Sequence, residues 1–186
     1  MHAAEAMALR AAYDGASTIL EYGSGGSTVL AGEMPGKTVF SVESDRDWHD
    51  MMQRWFVKAP PEATVHLHHA DVGPTESWGM PKNARAIRRW PDYALGVWDR
   101  VDFLHPDVVL IDGRFRVACL LTTAYRITRP VIALFDDYAP RPGYHRVEEL
   151  LKPVATIGRM ARFELAPQPF PVDRMSWILK FYTRPA

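Results

Sequence analysis

Residues 17–30, STILEYGSGGSTVL, combine an acidic side chain with three closely spaced glycines, as loops that bind nucleotide-type ligands do. The apolar run over residues 17–22 predicts a buried strand of a parallel sheet. Gly23, Gly25 and Gly26 allow a sharp backbone turn, and the residues after them predict a helix whose amide end faces the ligand. The segment therefore predicts a cofactor-binding loop between a strand and a helix.

Spacing separates three kinds of glycine-rich loop. A phosphate-binding P-loop places a lysine after its second glycine, and no lysine stands there. A dinucleotide fingerprint has glycine at its sixth position, which is Thr28 in this chain, so a dinucleotide-binding oxidoreductase is only a second alternative. A methyl-donor loop has an acidic residue two positions before its first glycine, and Glu21 stands in that place before Gly23.

Acidic residues also end the next three predicted strands. Glu43 closes the run KTVFSVE and lies twenty residues after Gly23, about the separation of a carboxylate that binds ribose hydroxyls. Asp71 and Asp112 end the third and fourth predicted strands. Because ligands of open α/β sheets bind at the carboxyl ends of the strands, we expect these carboxylates and Glu21 to line one crevice.

The EYGSGG loop, with Glu43, Asp71 and Asp112, resembles that of the class I S-adenosylmethionine-dependent methyltransferases, and the motifs cover residues 17–137. The resemblance implies an α/β, Rossmann-like fold: a mostly parallel seven-stranded sheet with an antiparallel C-terminal strand and helices on both faces. It implies S-adenosylmethionine as cofactor, with Glu43 on the ribose and Asp71 near the adenine amino group. The implied cofactor-binding set is Glu21, Gly23, Ser24, Gly25, Gly26, Ser27, Glu43, Ser44, Asp71, Val72 and Asp112.

Three carboxylates follow the predicted fourth and fifth strands and suggest a metal site. Asp112, Asp136 and Asp137 would converge there, and Mg²⁺ prefers oxygen ligands. The pattern is similar to that of metal-dependent catechol and caffeoyl-type O-methyltransferases. It departs from them at Phe115, where those enzymes have lysine, and at Asp137, where asparagine is common. In the alternative, Asp112 holds the methionine amino group of the cofactor while Asp136 and Asp137 orient loops.

The residues after the fifth predicted strand supply the candidate catalytic groups. His145 is our preferred general base, because a histidine titrates near neutral pH, and its alternative is an ordinary first-turn helix residue. Asp112 and Tyr144 complete the predicted catalytic set. Arg114 and Arg141 have the chemistry to bind an acceptor anion or a neighbouring carboxylate.

The leading functional hypothesis is O-methylation of a small hydroxylated acceptor. The segments GRFRVA and DDYAPRPGYHRVEE also resemble a group of bacterial methyltransferase-like proteins of undefined activity, which leaves the acceptor open. The main alternative is an S-adenosylmethionine-binding protein that is not catalytic by itself or needs a partner subunit.

Hydrophobic periodicity predicts the other elements. We expect an N-terminal helix within residues 1–15, a helix capped by Ser44 with Trp48, Met51, Met52, Trp55 and Phe56 on its core-facing side, and a helix over residues 114–127. Residues 72–106 form a predicted insertion over the acceptor side, with a helix from Pro91 and a basic cluster that includes Arg89. A helix over 144–151 and two strands, in PVATIGRMARFEL and RMSWILKFYT, complete the prediction.

Composition limits the partners and the location. The 186 residues suit one domain over 1–186, with 47% hydrophobic and 24% charged residues. A formal net charge of zero gives no support for nucleic acid or an anionic membrane as partner. One cysteine, Cys119, and an N-terminus without signal-peptide features predict a cytoplasmic protein. We expect a small-molecule acceptor, no nucleic-acid or membrane partner, and leave homo-oligomerisation open.

Overall fold

A computed structural model describes residues 2–185 of the chain. The strands are β1 Thr18–Tyr22, β2 Thr38–Glu43, β3 Thr64–His69, β4 Thr75–Glu76, β5 Met80–Pro81, β6 Val108–Ile111, β7 Val131–Phe135, β8 Ala155–Ile157 and β9 Met160–Leu165. The α-helices are α1 Ala3–Asp14, α2 Gly26–Gly32, α3 Arg46–Lys58, α4 Pro91–Leu95, α5 Arg116–Arg126 and α6 Met175–Leu179. Short 3₁₀ helices cover Ser77–Gly79, Ala84–Arg89, Gly96–Asp99, His145–Glu149, Val172–Arg174 and Lys180–Thr183.

Seven strands form one sheet in the order β3-β2-β1-β6-β7-β9-β8. The first five run parallel, and β9 lies antiparallel between β7 and β8. The apolar side chains of β1 and β6 are buried on both faces of the sheet, as a parallel sheet covered by helices requires. This confirms the predicted, mostly parallel, seven-stranded α/β fold.

The C-terminal region corrects two predicted elements. Both last strands come from the segment PVATIGRMARFEL, which turns at Gly158 with φ +60°. The segment RMSWILKFYT, predicted as a strand, is instead helical through α6 and the following 3₁₀ turn. Ile178 and Phe181 are buried in the main core, and their spacing of three residues places both on one helical face. The predicted helix over 144–151 is the shorter 3₁₀ helix His145–Glu149.

Helix α3 differs from its prediction in cap and in buried face. Asp45, rather than Ser44, caps the helix by accepting a hydrogen bond from the Trp48 amide (2.9 Å). His49 and Met52 are buried, whereas Trp48 and Trp55 remain 44% and 51% exposed. The helix covers β3, an edge strand whose side chains are only partly buried, so it leaves much of its apolar stripe in solvent.

The insertion, residues 72–106, folds from short elements. Pro91 is the first residue of α4, as predicted. Tyr22 at the end of β1 donates a hydrogen bond to the carbonyl of Ala94 and accepts one from the Trp98 indole, each at 2.7 Å. The insertion is therefore fixed to the central strand of the sheet. That residues 1–186 make one domain stays a prediction, and within residues 2–185 no helix has the length and apolarity to cross a membrane.

Candidate active site

The glycine loop lies directly against the loop that follows β6. Gly23 has φ +104°, a conformation that favours glycine, and its amide donates a hydrogen bond to the Val42 carbonyl (2.8 Å). A Cβ at Gly23 would stand 2.8 Å from the backbone nitrogen of Gly113. The backbones of the two loops are thus in direct contact, and any side chain at Gly23 would collide with Gly113.

Glu43 at the end of β2 is a buried carboxylate held by backbone amides. Its Oε1 accepts hydrogen bonds from Ser44 (2.7 Å) and Asp45 (2.8 Å), and its Oε2 accepts a longer one from Ser24 (3.3 Å). Burial raises the pKa of Glu43, whereas these amides act in the opposite direction. The carboxylate is therefore fixed in orientation next to the glycine loop, and Oε2 retains capacity to accept further hydrogen bonds.

A turn of the insertion covers one side of Glu43. Ser44 donates its hydroxyl to the Gly79 carbonyl (2.9 Å), and Gly79 has φ +69°. A Cβ at Gly79 would lie 2.4 Å from the Ser44 hydroxyl and 3.1 Å from Glu43 Oε1. The neighbouring Trp78 is 90% exposed. The predicted site residue Ser44 thus links the end of β2 to the insertion.

Glu21 lies beneath the glycine loop, where it is fully buried. Tyr13 of α1 donates a hydrogen bond to Oε1 (2.6 Å), and Oε2 has no hydrogen-bond partner among residues 2–185. Burial raises the pKa of Glu21, and the Thr28 hydroxyl leads the groups that oppose this. Glu21 therefore connects α1 to the base of the loop, whereas the strand-end pattern predicts that it lines the ligand crevice.

Asp71 and Val72 are both tied to the insertion. Asp71 accepts a hydrogen bond from the Gly73 amide (2.9 Å) and forms an ion pair with Arg89. Val72 is buried in the core, and its carbonyl accepts a hydrogen bond from the Trp90 indole (3.1 Å). Arg89 of the predicted basic cluster thus pairs with a carboxylate of the site edge.

Tyr93 is a site residue that the sequence did not reveal. It is fully buried in α4, and its hydroxyl accepts a hydrogen bond from the Arg114 amide (3.2 Å). A Cβ at Gly113 would lie 2.0 Å from that hydroxyl. Burial, followed by the charge of Glu43, raises the pKa of Tyr93. Tyr93 therefore reaches the place where the Gly113 loop approaches Gly23, although its spacing in the sequence indicates only packing.

Solved structures resemble this protein in fold, and one of them also resembles it in sequence. A methyltransferase-like protein from Silicibacter pomeroyi superposes with a TM-score of 0.96 at 52% sequence identity, covering 100% of this chain and 96% of that chain. The chain belongs to the same family as this methyltransferase-like protein, and its fold is that of the S-adenosylmethionine-dependent methyltransferases. Neither a protein-family model nor a curated protein sequence matches it.

Two more distant methyltransferase structures share the fold. The O-methyltransferase TomG from Streptomyces achromogenes, solved with S-adenosylmethionine, has a TM-score of 0.59 at 16% identity over 89% of this chain and 79% of that chain. An O-methyltransferase from Bacillus cereus, solved with S-adenosylhomocysteine, has a TM-score of 0.53 at 16% identity, covering 86% and 80% respectively. Membership in the family of a methyltransferase-like protein argues against the dinucleotide-binding oxidoreductase.

Asp112 lies at the end of β6 of this methyltransferase-like fold, beside a buried arginine. Arg116 pairs with the Asp112 carboxylate (3.1 Å) and donates to the carbonyls of Asp112, Gly113 and Asp136 (2.9, 2.9 and 2.6 Å). Burial raises the pKa of Asp112 to about 6, Arg116 opposes the shift, and the nearby Asp136 adds to it. The Asp112 side chain is 39% exposed, so solvent and ligands can reach it.

The structure does not support the predicted magnesium site at Asp112, Asp136 and Asp137. Asp137 has φ +56° and forms ion pairs with Arg141 (3.0 Å), Arg116 (3.7 Å) and Arg159. Three guanidinium groups around one carboxylate oppose the approach of a divalent cation. In the described part of the chain no group of three His, Cys, Asp or Glu side chains is placed to hold a metal.

The predicted catalytic residues after β7 lie close to aromatic and basic groups. His145 places its Nε2 3.1 Å from the Tyr138 carbonyl and its ring 4.8 Å from the Tyr138 ring. The Tyr144 hydroxyl accepts a hydrogen bond from Arg141 (3.2 Å). Tyr144 and Arg116 line the same cavity, which links Tyr144 to Asp112 through the Arg116 ion pair.

Replacing Asp112 by asparagine is expected to flatten the pH dependence of stability. The pKa of this carboxyl rises from 3.8 to about 6 on folding, so between these pH values the folded protein binds more protons at Asp112 than the unfolded protein does. The contribution of Asp112 to the free energy of unfolding therefore declines as pH rises from about 4 to about 6. Asparagine does not titrate, so the variant should lack this decline. Thermal melts from pH 4 to 7 would measure it, with the exposed Asp173→Asn as control. Parallel pH profiles for wild type and Asp112→Asn would contradict the prediction.

Proposed function

We propose that the protein binds S-adenosylmethionine and transfers its methyl group to a hydroxyl of a small acceptor. The observation that carries this proposal is the geometry of Glu43. A buried carboxylate, oriented by three backbone amides beside a glycine loop, matches the need to accept hydrogen bonds from two vicinal ribose hydroxyls. The family membership of the chain supports the same donor.

The residues around Glu43 fit an adenosyl group. Cβ atoms built at Gly25 and Gly26 meet no other atom of the described chain within 4 Å, so space remains along the loop. Oε2 of Glu43 has only the long Ser24 contact, which leaves it available as an acceptor. When bound, the donor supplies an electrophilic methyl group.

Asp112 is the base that the geometry favours for hydroxyl methylation. With its pKa raised to about 6, the carboxylate is ionised at neutral pH and more basic than an ordinary aspartate. It is accessible at the end of β6, and Arg116 fixes its position. His145 directs Nε2 towards the Tyr138 carbonyl and is our second candidate. Tyr144 would orient the acceptor from the neighbouring cavity wall.

Methyl transfer is tested with S-adenosylmethionine labelled in its methyl group. Catechols, simple phenols and aliphatic hydroxy acids would be offered as acceptors, and labelled product and S-adenosylhomocysteine quantified. We expect product with at least one acceptor, and a loss of about 10²-fold or more in kcat for Asp112→Asn. His145→Ala serves as the comparison variant, with a smaller loss. Product formed equally well by Asp112→Asn would remove Asp112 from the chemistry.

The second candidate function is donor binding without transfer by the isolated chain. Two candidate catalytic groups support it, because both are engaged within the chain: His145 Nε2 lies 3.1 Å from the Tyr138 carbonyl, and the Tyr144 hydroxyl accepts a hydrogen bond from Arg141 (3.2 Å). Tight S-adenosylhomocysteine binding without turnover on any acceptor would favour this candidate. Turnover that appears only after adding cell extract would favour the version that needs a partner subunit.

A further inference from the structure

A cavity of about 350 Å³ lies between the start of α5, the loop after β7 and the C-terminal helical turn. Its functional lining comprises four arginines and two aromatic rings: Arg116, Arg141, Arg146, Arg184, Tyr144 and Phe181. The cavity is within the size range of about 300 to 1,000 Å³ typical of small-molecule sites. Its walls are therefore basic at some points and aromatic at others.

Two of the four guanidinium groups have no acidic partner among residues 2–185. Arg116 and Arg141 form ion pairs with Asp112 and Asp137. Arg146 and Arg184 lie over the Phe181 ring, 5.9 and 5.8 Å from its centroid, and neither pairs with a carboxylate side chain of residues 2–185. Within the part of the chain that the structure describes, the cavity thus carries about two uncompensated positive charges.

Arg114 adds positive charge next to this cavity. Its Nε is buried and has no hydrogen-bond partner within residues 2–185. Burial, followed by the charge of Arg116, lowers the pKa of Arg114, and Arg141 contributes in the same direction. The formal net charge of the chain is zero, yet this region carries several arginines of which some are unpaired among the described residues. A bound anion would balance their positive charge.

The C-terminal turn is held in place at the cavity. The amide of Phe115 donates a hydrogen bond to the Pro185 carbonyl (3.2 Å), and Phe181 is buried against the core. The backbone next to Arg184 is therefore hydrogen-bonded to the residue that precedes α5. Guanidinium groups bind phosphate oxygens in pairs of parallel hydrogen bonds, and aromatic walls accept an apolar ring or chain.

We propose that this cavity binds the phosphate monoester of a small molecule, with Arg146 and Arg184 on the phosphate and Tyr144 and Phe181 against its organic part. Two uncompensated guanidinium groups match a phosphate monoester, which carries about −1.5 to −2 charges at neutral pH, better than a single carboxylate. Resting on the function proposed above, the same molecule is the methyl acceptor, because Arg116 joins the cavity to Asp112.

Calorimetric titration with phenyl phosphate tests the site directly. We expect phenyl phosphate to bind more tightly than benzoate, inorganic phosphate or phenol, and to bind more weakly as salt concentration rises. In the double variant Arg146→Gln/Arg184→Gln its affinity should fall at least about 30-fold, because two charge-assisted contacts are lost. Arg10→Gln/Arg54→Gln, which removes two arginines outside the cavity, is the matched control.

Several outcomes would overturn the phosphate site. They are equal affinity of wild type and the Arg146/Arg184 variant, equal loss in the control, or binding of phenyl phosphate no tighter than phenol. Circular dichroism of each variant checks that it folds. S-adenosylhomocysteine titrated into the same proteins separates the two proposals: its failure to bind wild type contradicts the donor proposal and the acceptor role that rests on it, but not the phosphate site. Unaltered phenyl phosphate binding in the double variant contradicts the phosphate site alone.

Discussion

Replacing Glu43 by alanine is expected to weaken S-adenosylhomocysteine binding by about 100-fold or more. Hydrogen bonds to a charged group contribute about 1.5–3 kcal/mol each, and two ribose hydroxyls would lose theirs. Every 1.4 kcal/mol changes affinity about tenfold, so the loss is large even if the lower value applies to both. Calorimetric titration of wild type and variant measures it.

Matched variants distinguish the loss of the ribose contact from an effect on folding. Glu43→Gln keeps an acceptor for the Ser44 and Asp45 amides but loses the charge, so we expect an affinity between those of wild type and Glu43→Ala. Glu76→Ala removes an exposed glutamate from β4 and should bind like wild type. If Glu43→Ala, shown to be folded, binds as tightly as wild type, Glu43 does not hold the donor.

Replacing Gly113 by alanine is expected to destabilise the fold by about 1–3 kcal/mol, the usual cost of overpacking at a tightly packed site. The added Cβ would lie 2.0 Å from the Tyr93 hydroxyl and 2.9 Å from the Gly23 backbone nitrogen. Tyr93 is held by the surrounding core, and Gly23 cannot retreat without breaking its bond to the Val42 carbonyl. Urea denaturation gives the free energy of unfolding of both proteins.

A double-mutant cycle with Tyr93→Phe identifies the source of the strain. Removing the Tyr93 hydroxyl relieves the closer clash but leaves the one with Gly23, so Gly113→Ala should cost less in this background, with a coupling of about 0.5–3 kcal/mol. At Gly143 an added Cβ meets nothing within 4 Å of the described chain, which makes Gly143→Ala the control. A Gly113→Ala protein as stable as this control would show that the two loops are not tightly packed.

The sequence predicted the fold well because parallel sheets leave strong local patterns. Continuous apolar runs such as those of β1 and β6 indicated strands buried on both faces, and the three glycines marked the turn after β1. Pro91 marked the start of α4 for an equally local reason, since proline suits the first helical position. The placement of Glu43 at the end of β2 followed from the same patterns.

Short apolar segments were less informative. RMSWILKFYT is rich in residues that favour strands, yet it is helical because Ile178 and Phe181 bury one helical face in the core. Helix α3 shows a different error. The spacing of its apolar residues correctly predicted a helix, but Trp48 and Trp55 stay exposed beside an edge strand. Periodicity gives the type of an element, whereas burial depends on which surface it meets.

The sequence by itself determined where the central strands lie along the chain, the glycine loop and the carboxylate that follows the second strand, because these depend on residues near one another in the chain. Only the tertiary structure decided which groups meet across the site. Tyr13 reaches Glu21, Tyr93 reaches Gly113, and Asp137 is surrounded by arginines that oppose the binding of the predicted metal. The physical reason is that each contact depends on how separate elements pack, and one-dimensional spacing does not encode the distances between their side chains.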